Sequence, residues 1–572
     1  MNKPEHFPAS IDGALSHTGA ELLVRLLARQ GVTTVAGIPG GAILPVYDAL
    51  ARFPTIRHVL ARHEQGAGFI AQGWARATGE VGVCLSSSGP GASNLVTALA
   101  DAMLDSIPVV AITGQVPRAM IGTDAFQELD ICAVARPVVK RAFLVGSAAE
   151  LRDVVPEAFR LARSGRPGPV LIDIPKDVQM EAVPLADWPA PGLPAPALAP
   201  EAAAIGRAAA LIAAARKPIL YLGGGAIHAD ASAAARALAE KAHLPTVMTL
   251  MALGALPVDH PLSLGMLGMH AAPYTNLALE ECDLLIAVGA RFDDRATGRL
   301  AEFCPAARVI HIDIDAGELG KLRVPDLAIR ADARSALEAL LPGVAPRCYG
   351  AWNARVDQLK ADHPLALEEV DDPRSHYGLI RAVAGCLDDT AIISTDVGQH
   401  QMWAAQSYPL RRPRQWLTSG GLGSMGFGLP AAIGAALACP ERTVVCFSGD
   451  GSLMMNLQEL VTAAEEGVNV KVVLMDNASL GLVNQQQTLF YDRRIYASRF
   501  RHGPDFCALA RSLGVAAVEL DDAPDPCRAL RAALTMPGPV LIHAGIDVER
   551  HVFPMVPPGA ANRDMMVRAP AG

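Results

Sequence analysis

Short apolar runs alternate with amphipathic stretches along most of the chain, and this alternation predicts strands and helices in turn. The runs at 83–85, 108–113, 445–447 and 470–475 are rich in Val, Ile and Leu and give way to polar or glycine-containing turns. Continuous apolar runs of this kind are typical of strands that are buried on both faces of a parallel sheet. The stretch 457–466 has the spacing of a helix, which predicts a helix between the last two of these strands.

The two outer parts of the chain resemble each other. Residues 16–19 and residues 375–378 each begin with Ser-His and are expected to open a helix. Later, the segments 83–94 and 445–456 each contain a strand, a Ser-Gly turn and an Asn. The repeat distance is about 360 residues, which indicates a duplicated domain and not a solenoid.

Composition divides the chain into three parts. Residues 189–200 are rich in Pro and Ala and read as a linker, and a second break is expected at 343–374, where the alternation lapses. We therefore predict domains at 14–186, 200–343 and 374–550. The predicted fold class is α/β, with three doubly wound parallel sheets of which the first and third are related by duplication.

The middle domain has its own pattern of strands followed by glycine. The strand predicted at 218–222 leads into Gly223-Gly224-Gly225, and the one at 283–288 leads into Gly289 and two nearby arginines, Arg291 and Arg295. A doubly wound sheet binds nucleotides beyond the carboxyl ends of its strands, and arginines there can meet phosphates. The glycine run lacks the full dinucleotide fingerprint, and a surface ion-pair cluster is the alternative interpretation of the arginines.

Bulk properties exclude several classes of protein. The 572 residues are 51% hydrophobic with a net charge of −9, which argues against a nucleic-acid-binding surface. The ten cysteines form no CxxC pair, so neither a zinc site nor a disulfide framework is indicated. No apolar run is long enough to span a bilayer, and the N-terminus has no apolar signal region. We expect a cytoplasmic protein that binds neither nucleic acid nor membrane.

Two strand ends carry oxygen ligands. Gly449, Asp450, Gly451 and Ser452 end one strand run, and Asn477 ends the next. A carboxylate and an amide oxygen at neighbouring strand ends suit Mg²⁺, whose remaining positions are filled by phosphate oxygens and water. The glycines allow backbone amides to approach a diphosphate. Asp-Gly alone is mostly a turn, but the Asn on the second strand favours a metal–diphosphate site.

With these residues in view, the chain resembles enzymes that depend on thiamine diphosphate (ThDP), and in particular the acetolactate synthase catalytic-subunit family. The resemblance covers nearly the whole chain. Its motifs lie at 62–67, 88–92, 114–117, 124–128, 289–295, 420–426 and 551–555. One departure is Asp476, where the motif usually has Asn, but the metal ligand corresponds to Asn477 and little loss is expected.

The resemblance implies ThDP, Mg²⁺ and FAD as cofactors and small 2-keto acids as substrates. The three domains would bind the ThDP pyrimidine, FAD and the ThDP diphosphate, in that order. ThDP would lie between the first domain of one chain and the third of another, so a homodimer or homotetramer is expected. A small regulatory subunit is a further family expectation.

Individual residues carry over by motif. The catalytic positions implied are Gly41, Glu64, Phe126, Gln127, Lys176 and Met425. The metal would be held by Asp450, Asn477 and the backbone carbonyl of Ser479. ThDP would be bound by Pro90, Asn94, Val397, Gly398, Gln399, His400, Gly423, Met425, Gly449, Gly451, Ser452, Gly481 and Leu482. FAD would be bound by Arg166, Gly223, Gly224, Gly225, Thr249, Leu250, Leu267, Gly268, Met269, His270, Gly289, Ala290, Arg291, Asp293, Arg295, Asp313, Ile314 and Asp332.

The implied reaction is acetolactate synthesis, the first common step of branched-chain amino-acid biosynthesis: pyruvate loses CO₂ and the remaining two-carbon unit joins a second 2-keto acid. Glu64 would hydrogen-bond a pyrimidine nitrogen of ThDP and activate the ring. Met425 would lie beneath ThDP and force its bent conformation, although plain core is the commoner role of a Met. Lys176 would meet a substrate carboxylate, with an ordinary surface lysine as the alternative. FAD would be chiefly structural.

Acceptor choice depends on a position where this chain is unusual. Many family members carry Trp where Gln486 stands, and that indole is associated with a preference for 2-ketobutyrate over pyruvate. Losing such an apolar contact changes the discrimination between 2-ketobutyrate and pyruvate by about 1–3 kcal/mol. We therefore predict a weak preference for the larger acceptor, 2-ketobutyrate. Leu482 stands where Met is frequent, which is a tolerable exchange.

Four rival functions remain. An FAD-linked pyruvate oxidase would share the scaffold, and a glyoxylate carboligase is disfavoured because that subgroup has an apolar residue in place of Glu64. A simple decarboxylase would not need the motifs at 124–127 and 289–295. A non-catalytic nucleotide-binding scaffold is disfavoured by the intact Glu64, Asp450 and Asn477.

Overall fold

The computed structural model describes residues 15–185 and 187–568. Three six-stranded parallel sheets form the cores of three domains, as the alternation of strands and helices predicted. A two-stranded antiparallel sheet closes the first domain, because β1 pairs with β8 where the chain enters and leaves it. In the first domain the strands are β1 Leu15–Thr18, β2 Thr34–Gly37, β3 Arg57–Leu60, β4 Gly82–Ser86, β5 Val109–Gln115, β6 Arg141–Leu144, β7 Val170–Pro175 and β8 Ala182–Leu185. Its helices are α1 Gly19–Arg29, α2 Leu44–Ala51, α3 Glu64–Thr78, α4 Pro90–Asn94, α5 Val96–Asp105, α6 Ile131–Ala135, α7 Leu151–Arg163 and α8 Lys176–Met180.

The second domain has a dinucleotide-binding strand order, β11-β10-β9-β12-β13-β14. Its strands are β9 Pro218–Leu222, β10 Thr246–Met248, β11 Ser263–Met266, β12 Leu284–Val288, β13 Arg308–Asp313 and β14 Leu327–Arg330. Its helices are α9 Ala202–Ala214, α10 Gly224–His228, α11 Ser232–Ala242, α12 Pro273–Glu281, α13 Asp294–Thr297, α14 Ala333–Leu340 and α15 Gly350–Asp362. The order of the strands reverses between β9 and β12, which is where such sheets bind ligands.

The third domain repeats the topology of the first. Its strands are β15 Ile392–Thr395, β16 Trp416–Leu417, β17 Val444–Gly449, β18 Val470–Asp476, β19 Ala516–Glu519 and β20 Val540–Gly545. Its helices are α16 His376–Gly385, α17 Gln399–Ser407, α18 Gly428–Ala438, α19 Asp450–Leu453, α20 Glu459–Glu466, α21 Gly481–Phe490, α22 Phe506–Ser512 and α23 Pro526–Thr535. The order β16-β15-β17-β18-β20-β19 matches β3-β2-β4-β5-β7-β6 strand for strand, which confirms the predicted duplication.

Helix starts follow from local sequence. Thr18 caps α1 through a capping box with Glu21, and the Ser375 hydroxyl accepts a hydrogen bond from the Gly378 amide at 2.9 Å. Both helices were predicted to begin at these motifs. The strands predicted from apolar runs are also confirmed within one or two residues of their observed ends.

The first and third domains meet where α3 crosses α18. A Cβ added to Gly73 would lie 2.0 Å from the Ala431 carbonyl oxygen, and one added to Gly434 would lie 2.0 Å from that of Ile70. Glycine is therefore required at both positions, since any side chain would force the two helices apart. This close crossing fixes the first domain against the third within one chain.

Two segments expected to lie between domains are packed against them. The predicted break at 343–374 contains α15, whose Trp352 is 3% exposed and donates a hydrogen bond to the Pro218 carbonyl at 3.0 Å, so this helix belongs to the second domain. The linker at 189–200 has no regular structure, yet the Gly192 amide donates to Gln30 Oε1 at 2.8 Å. No described helix combines the length and the apolar character needed to cross a bilayer.

Candidate active site

The turns after β15, β16, β17 and β18 surround one cavity, here called the third-domain cavity. It contains the predicted Mg²⁺ ligands and most of the predicted ThDP-binding residues. Its lining is Val397, Gly398, Gln399, His400, Trp403, Gly423, Met425, Gly449, Asp450, Gly451, Ser452, Met475, Asn477, Ser479, Leu480, Gly481, Leu482 and Val483. Of these, Trp403, Met475, Leu480 and Val483 were not predicted, because apolar residues in apolar runs carry no signal of their own.

The oxygen ligands converge as the sequence predicted. Asp450 is the first residue of α19, is 4% exposed, and accepts a hydrogen bond from the Ser479 amide at 3.1 Å. Asn477 follows β18 and donates from its amide to Gln399 Oε1 at 3.0 Å. Burial, followed by the charge of nearby Asp476, raises the pKa of Asp450 to about 7. A bound cation would stabilise the charged carboxylate, so these residues fit a divalent metal that prefers oxygen ligands.

His400 lies beside Gly449 in the third-domain cavity and fits a phosphate group. The Nε2 atom of His400 is buried and has no hydrogen-bond partner among the described residues. Burial lowers the pKa of His400 to about 3, so the ring is neutral. Cβ atoms added to Gly398 and Gly449 would lie 2.5 Å and 2.9 Å from this ring, so the backbone must be glycine for the ring to fit. With its proton on Nε2, the neutral imidazole can donate a hydrogen bond to a phosphate oxygen.

The predicted wedge residue lies on a loop of the third domain. Residues 418–426, here called the Met425 loop, follow β16 and include Gly423 and Met425, both of which line the third-domain cavity. The Gly426 amide donates to Asp396 Oδ1 at 2.8 Å, which attaches the end of the loop to the sheet. The position of Met425 is therefore set by the contacts of this loop.

A second set of predicted residues lies at the carboxyl edge of the first sheet, here called the first-domain edge. Glu64 is the first residue of α3, and its Oε2 accepts a hydrogen bond from Asn94 Nδ2 at 2.9 Å. A Cβ added to Gly91 would lie 3.3 Å from Glu64 Oε1, and one added to Gly89 would lie 2.9 Å from the Gln127 carbonyl oxygen. Glu64, Asn94 and Gln127 are thus gathered around the turn after β4.

The remaining predicted residues of this edge follow other strands of the same sheet. Gly41 lies after β2, Pro90 begins α4, and Lys176 begins α8 directly after β7. Phe126 is 86% exposed. Within one chain, none of Gly41, Glu64, Pro90, Asn94, Phe126, Gln127 and Lys176 is among the described residues that line the third-domain cavity. The two halves of the predicted site therefore lie at separate sheet edges.

Two cavities of about 300 Å³ and about 340 Å³ occupy the carboxyl edge of the second sheet and form one cleft, here called the second-domain cleft. Both are lined by Gly225, Gly289 and Arg291, where β9 and β12 end. The predicted FAD residues in the first cavity are Gly223, Gly224, Gly225, Thr249, Leu250, Leu267, Met269, His270, Gly289, Ala290, Arg291, Asp293 and Arg295. Those in the second cavity are Arg166, Gly225, Gly289, Arg291, Asp313, Ile314 and Asp332. Gly268 lies beside the first cavity, where its amide donates to Asn276 Oδ1 at 3.3 Å.

The chemistry of the second-domain cleft fits a dinucleotide. Its two chambers join at the strand-order reversal, beside the glycine backbone and Arg291. The buried hydroxyl of Thr249 has no partner among the described residues and is free to bind a ligand. Arg166, which was predicted to bind FAD, lines the second cavity, and its guanidinium is paired with Glu318 at 3.0 Å and Asp315 at 3.4 Å.

The second-domain cleft and the third-domain cavity adjoin each other. Gly423 and Leu482 line both, and Gln486 lines the second-domain cleft. The predicted linker also lines the cleft through Pro194, Ala195, Pro196 and Ala197, which its composition gave no reason to expect. Met555 of the C-terminal motif lines the first of the two cavities, next to a 2.9 Å contact between His270 Nδ1 and the Pro554 carbonyl.

A cavity with converging oxygen groups and a buried imidazole on one sheet, with an acid on its duplicate, fits the class of ThDP-dependent enzymes. Three family models match the chain. They are described as the thiamine pyrophosphate (another name for ThDP) enzyme N-terminal TPP binding domain at residues 17–134, the central domain at 205–340 and the C-terminal TPP binding domain at 396–544.

Curated relatives narrow the class. The chain is 58% identical to the acetolactate synthase isozyme 1 large subunit of Escherichia coli (strain K12), over 96% of this chain and 97% of that protein. It is 49% identical to the acetolactate synthase large subunit of Parasynechococcus marenigrum (strain WH8102), over 96% and 91% of the two chains. It is 46% identical to acetolactate synthase 1, chloroplastic, of Nicotiana tabacum, over 96% and 84%. The chain belongs to the acetolactate synthase large-subunit family of ThDP-dependent enzymes.

Proposed function

We propose that this chain is an active acetolactate synthase catalytic subunit. It would remove CO₂ from pyruvate and join the remaining two-carbon unit to a second 2-keto acid, the first common step of branched-chain amino-acid biosynthesis. The observation that carries the proposal is the division of labour between the duplicated sheets, with Asp450 and Asn477 on one edge and Glu64 on the other.

Each edge would have a defined task. When bound, ThDP supplies an electron sink for the carbon that loses CO₂. Glu64 would hold a proton at a nitrogen of the aminopyrimidine, helped by the hydrogen bond from Asn94 that orients its carboxyl group. Met425 would press against the cofactor from the third-domain cavity, and Lys176 would attract a substrate carboxylate at the first-domain edge.

Mg²⁺ is proposed as the resident metal of the third-domain cavity. Asp450 and Asn477 would supply side-chain oxygens and Ser479 its carbonyl oxygen. This oxygen set and the crowding of Asp450 by Asp476 support a hard divalent cation. Removal of Mg²⁺ by a chelator is expected to release ThDP, since the metal would join the diphosphate to the protein.

FAD is proposed for the second-domain cleft, in a chiefly structural role. The two-chambered shape, the glycine backbone at the strand-order reversal and the unpartnered Thr249 hydroxyl support it. The expected measurement is one flavin per chain by absorbance after denaturation of the purified protein. The weak preference for 2-ketobutyrate stays a prediction from Gln486, which lines this cleft.

The proposed assembly is a homodimer or homotetramer in which each site takes Glu64 from one chain and the third-domain cavity from another. The separation of the two edges within one chain supports this arrangement. A small regulatory subunit and a cytoplasmic location stay predictions.

One assay tests the activity. The purified chain is incubated with pyruvate, ThDP, Mg²⁺ and FAD, and the product is identified. Acetolactate is the expected product. Acetate would instead indicate a pyruvate oxidase, acetaldehyde a simple decarboxylase, and ThDP binding without any product a non-catalytic scaffold.

A further inference from the structure

A buried charge cluster joins the first domain to the Met425 loop. Arg76 lies on α3, and Asp101 and Asp105 lie four residues apart on α5. Arg76 Nη2 is 3.1 Å from Asp101 Oδ2 and 2.8 Å from Asp105 Oδ2. The three side chains are at most 5% exposed. Because one cation faces two carboxylates, the cluster keeps a surplus of negative charge that must be met by further hydrogen bonds.

Those hydrogen bonds come from the third domain of the same chain. The hydroxyls of Ser419 and Ser424 both donate to Asp101 Oδ1, the second at 3.0 Å. The amides of Gly420 and Gly421 donate to the two carboxyl oxygens of Asp105 at 3.0 Å and 2.7 Å. All four donors belong to the Met425 loop.

Arg76 completes the attachment from the other side. Its Nη1 donates to the Thr418 carbonyl at 2.9 Å, at the start of the Met425 loop. Burial and the neighbouring charge of Asp105 raise the pKa of Asp101 to about 6. The hydrogen bonds from the loop therefore stabilise the charged form of Asp101, which burial destabilises. The loop is also pressed against the first domain, since a Cβ added to Gly421 would lie 2.9 Å from Leu104 Cβ.

We propose that Arg76, Asp101 and Asp105 are positioning residues of the active site, which hold the Met425 loop of their own chain so that Met425 and Gly423 keep their places in the third-domain cavity. This inference rests on the proposed use of that cavity for ThDP. Each site then depends on two first domains: one from the partner chain that supplies Glu64, and one from its own chain that holds the loop.

Helix α3 links these two tasks. It begins at Glu64 and carries Arg76 twelve positions later, a separation of about 18 Å along a helix. A single α3 would therefore present its first residue to the partner's site while its far end holds the Met425 loop of its own site.

The test removes the loop's donors and leaves the first-domain charges intact. In the double variant Ser419→Ala/Ser424→Ala, the pairing of Arg76 with Asp101 and Asp105 persists but the hydroxyl donors to Asp101 are lost. Hydrogen bonds to charged groups are the stronger ones, so ThDP affinity is expected to fall about tenfold. Affinity is measured in Mg²⁺ by calorimetry, independently of turnover, and the melting temperature is recorded beside it.

A matched control breaks another contact between the same two domains. Arg57 pairs with Glu466 at the surface, away from the Met425 loop, so Arg57→Ala is expected to bind ThDP like the unmodified chain. Unchanged ThDP affinity in the double variant would overturn the proposal. If the double variant loses its fold as well, Ser424→Ala alone decides: weakened ThDP binding at an unchanged melting temperature supports the proposal, and normal binding overturns it.

These outcomes are separate from the fate of the proposed function. If the unmodified chain binds ThDP but makes no acetolactate, the proposed activity fails and the calorimetric comparison still tests the cluster. Where turnover is present, the double variant is expected to lose kcat more than it raises KM for pyruvate, because Met425 bears on the cofactor and not on substrate capture.

Discussion

The first and third domains have the same strand order, and the turn after the third strand of each sheet opens a helix at an equivalent place. In the first domain that helix begins with Pro90, which has neither a charge nor an amide hydrogen. In the third it begins with Asp450, a buried carboxylate. The duplicated scaffold has therefore kept its backbone but changed the residue at this position, so that only the third domain places a carboxylate there.

The two edges also differ in how enclosed they are. The turns of the third sheet surround a cavity, whereas at the first-domain edge Phe126 is 86% exposed. In the proposed assembly, the first-domain edge would be completed by the third-domain cavity of another chain.

The largest effect is expected from a substitution that removes the acid of the first-domain edge. Glu64→Gln keeps the hydrogen-bonding shape but cannot exchange a proton, so kcat is expected to fall by a factor on the order of 10²–10⁴. ThDP affinity is expected to change much less, because the third-domain cavity that would hold the metal and the diphosphate keeps all of its own residues. Steady-state kinetics and calorimetry on the same sample check both statements, and equal losses of kcat and affinity would contradict the division of labour.

The converse substitution acts on the third-domain edge. Asp450→Asn removes a predicted charged ligand with little change in volume. ThDP affinity in the presence of Mg²⁺ is expected to fall about 100-fold, because substitutions of residues that only support a metal's ligands already cost about 10–100-fold. At saturating ThDP, kcat should recover further than in Glu64→Gln. If excess ThDP and Mg²⁺ restore no activity, Asp450 has a role beyond cofactor binding.

Mixing the two variants tests whether each site is shared between two chains. If sites are shared between chains, a dimer of one Glu64→Gln chain and one Asp450→Asn chain has one site with both changes and one site with neither. With a different tag on each chain, the mixed dimer can be isolated, and it should recover about half of the unmodified activity. Activity that stays at the level of the single variants would show that each chain builds its site alone.

The sequence predicted those features of the two domains that depend on neighbouring residues in the chain. The strands were predicted correctly because 83–85 and 445–447 are uninterrupted apolar runs. Asp450 and Asn477 lie together because they follow adjacent strands, and their role as metal ligands stays a prediction. The separation of the two edges could not be read from the residues themselves and entered through the resemblance to the family.

The missed features depend on contacts between distant segments. The linker residues Pro194 to Ala197 line the second-domain cleft only because the chain folds back over the sheet. Asp101 and Asp105 did leave a signal, two acids four residues apart in an otherwise apolar helix, but their partners lie more than 300 positions away on the Met425 loop. Contacts between residues so far apart in the chain cannot be predicted from this one sequence.

The smallest effect is expected at a pair of polar residues that occupies equivalent strand positions in the first and third domains. Strand register aligns Asp173 on β7 with His543 on β20, and Gln115 on β5 with Asp476 on β18. Asp173 accepts a hydrogen bond from Gln115 at 2.9 Å, and His543 contacts Asp476 at 3.1 Å. The two copies thus hold a polar pair at one place in the sheet, an acid with a neutral amide in one and a base with an acid in the other.

The two pairs are expected to make stability depend on pH in different windows. Burial raises the pKa of Asp173 to about 7 against the hydrogen bonds it accepts, so the folded chain binds this proton more tightly than the unfolded chain. Stability should then decrease as pH rises from about 4 to about 7, and Asp173→Asn should flatten that slope.

For His543, burial lowers the pKa, but hydrogen bonds to Asp476 and Glu519 outweigh it and bring the pKa to about 9. Its contribution, about 1–2 kcal/mol after screening, is complete below the unfolded pKa of about 6.5 and lost as pH rises through 9. His543→Gln should therefore lower the melting temperature at pH 6 and leave it unchanged above pH 9, as followed by calorimetry across this range. If both substitutions changed stability over the same pH range, the proposed difference between the two positions would be wrong. An acid and a base that each keep their own partner must change protonation state at different pH values.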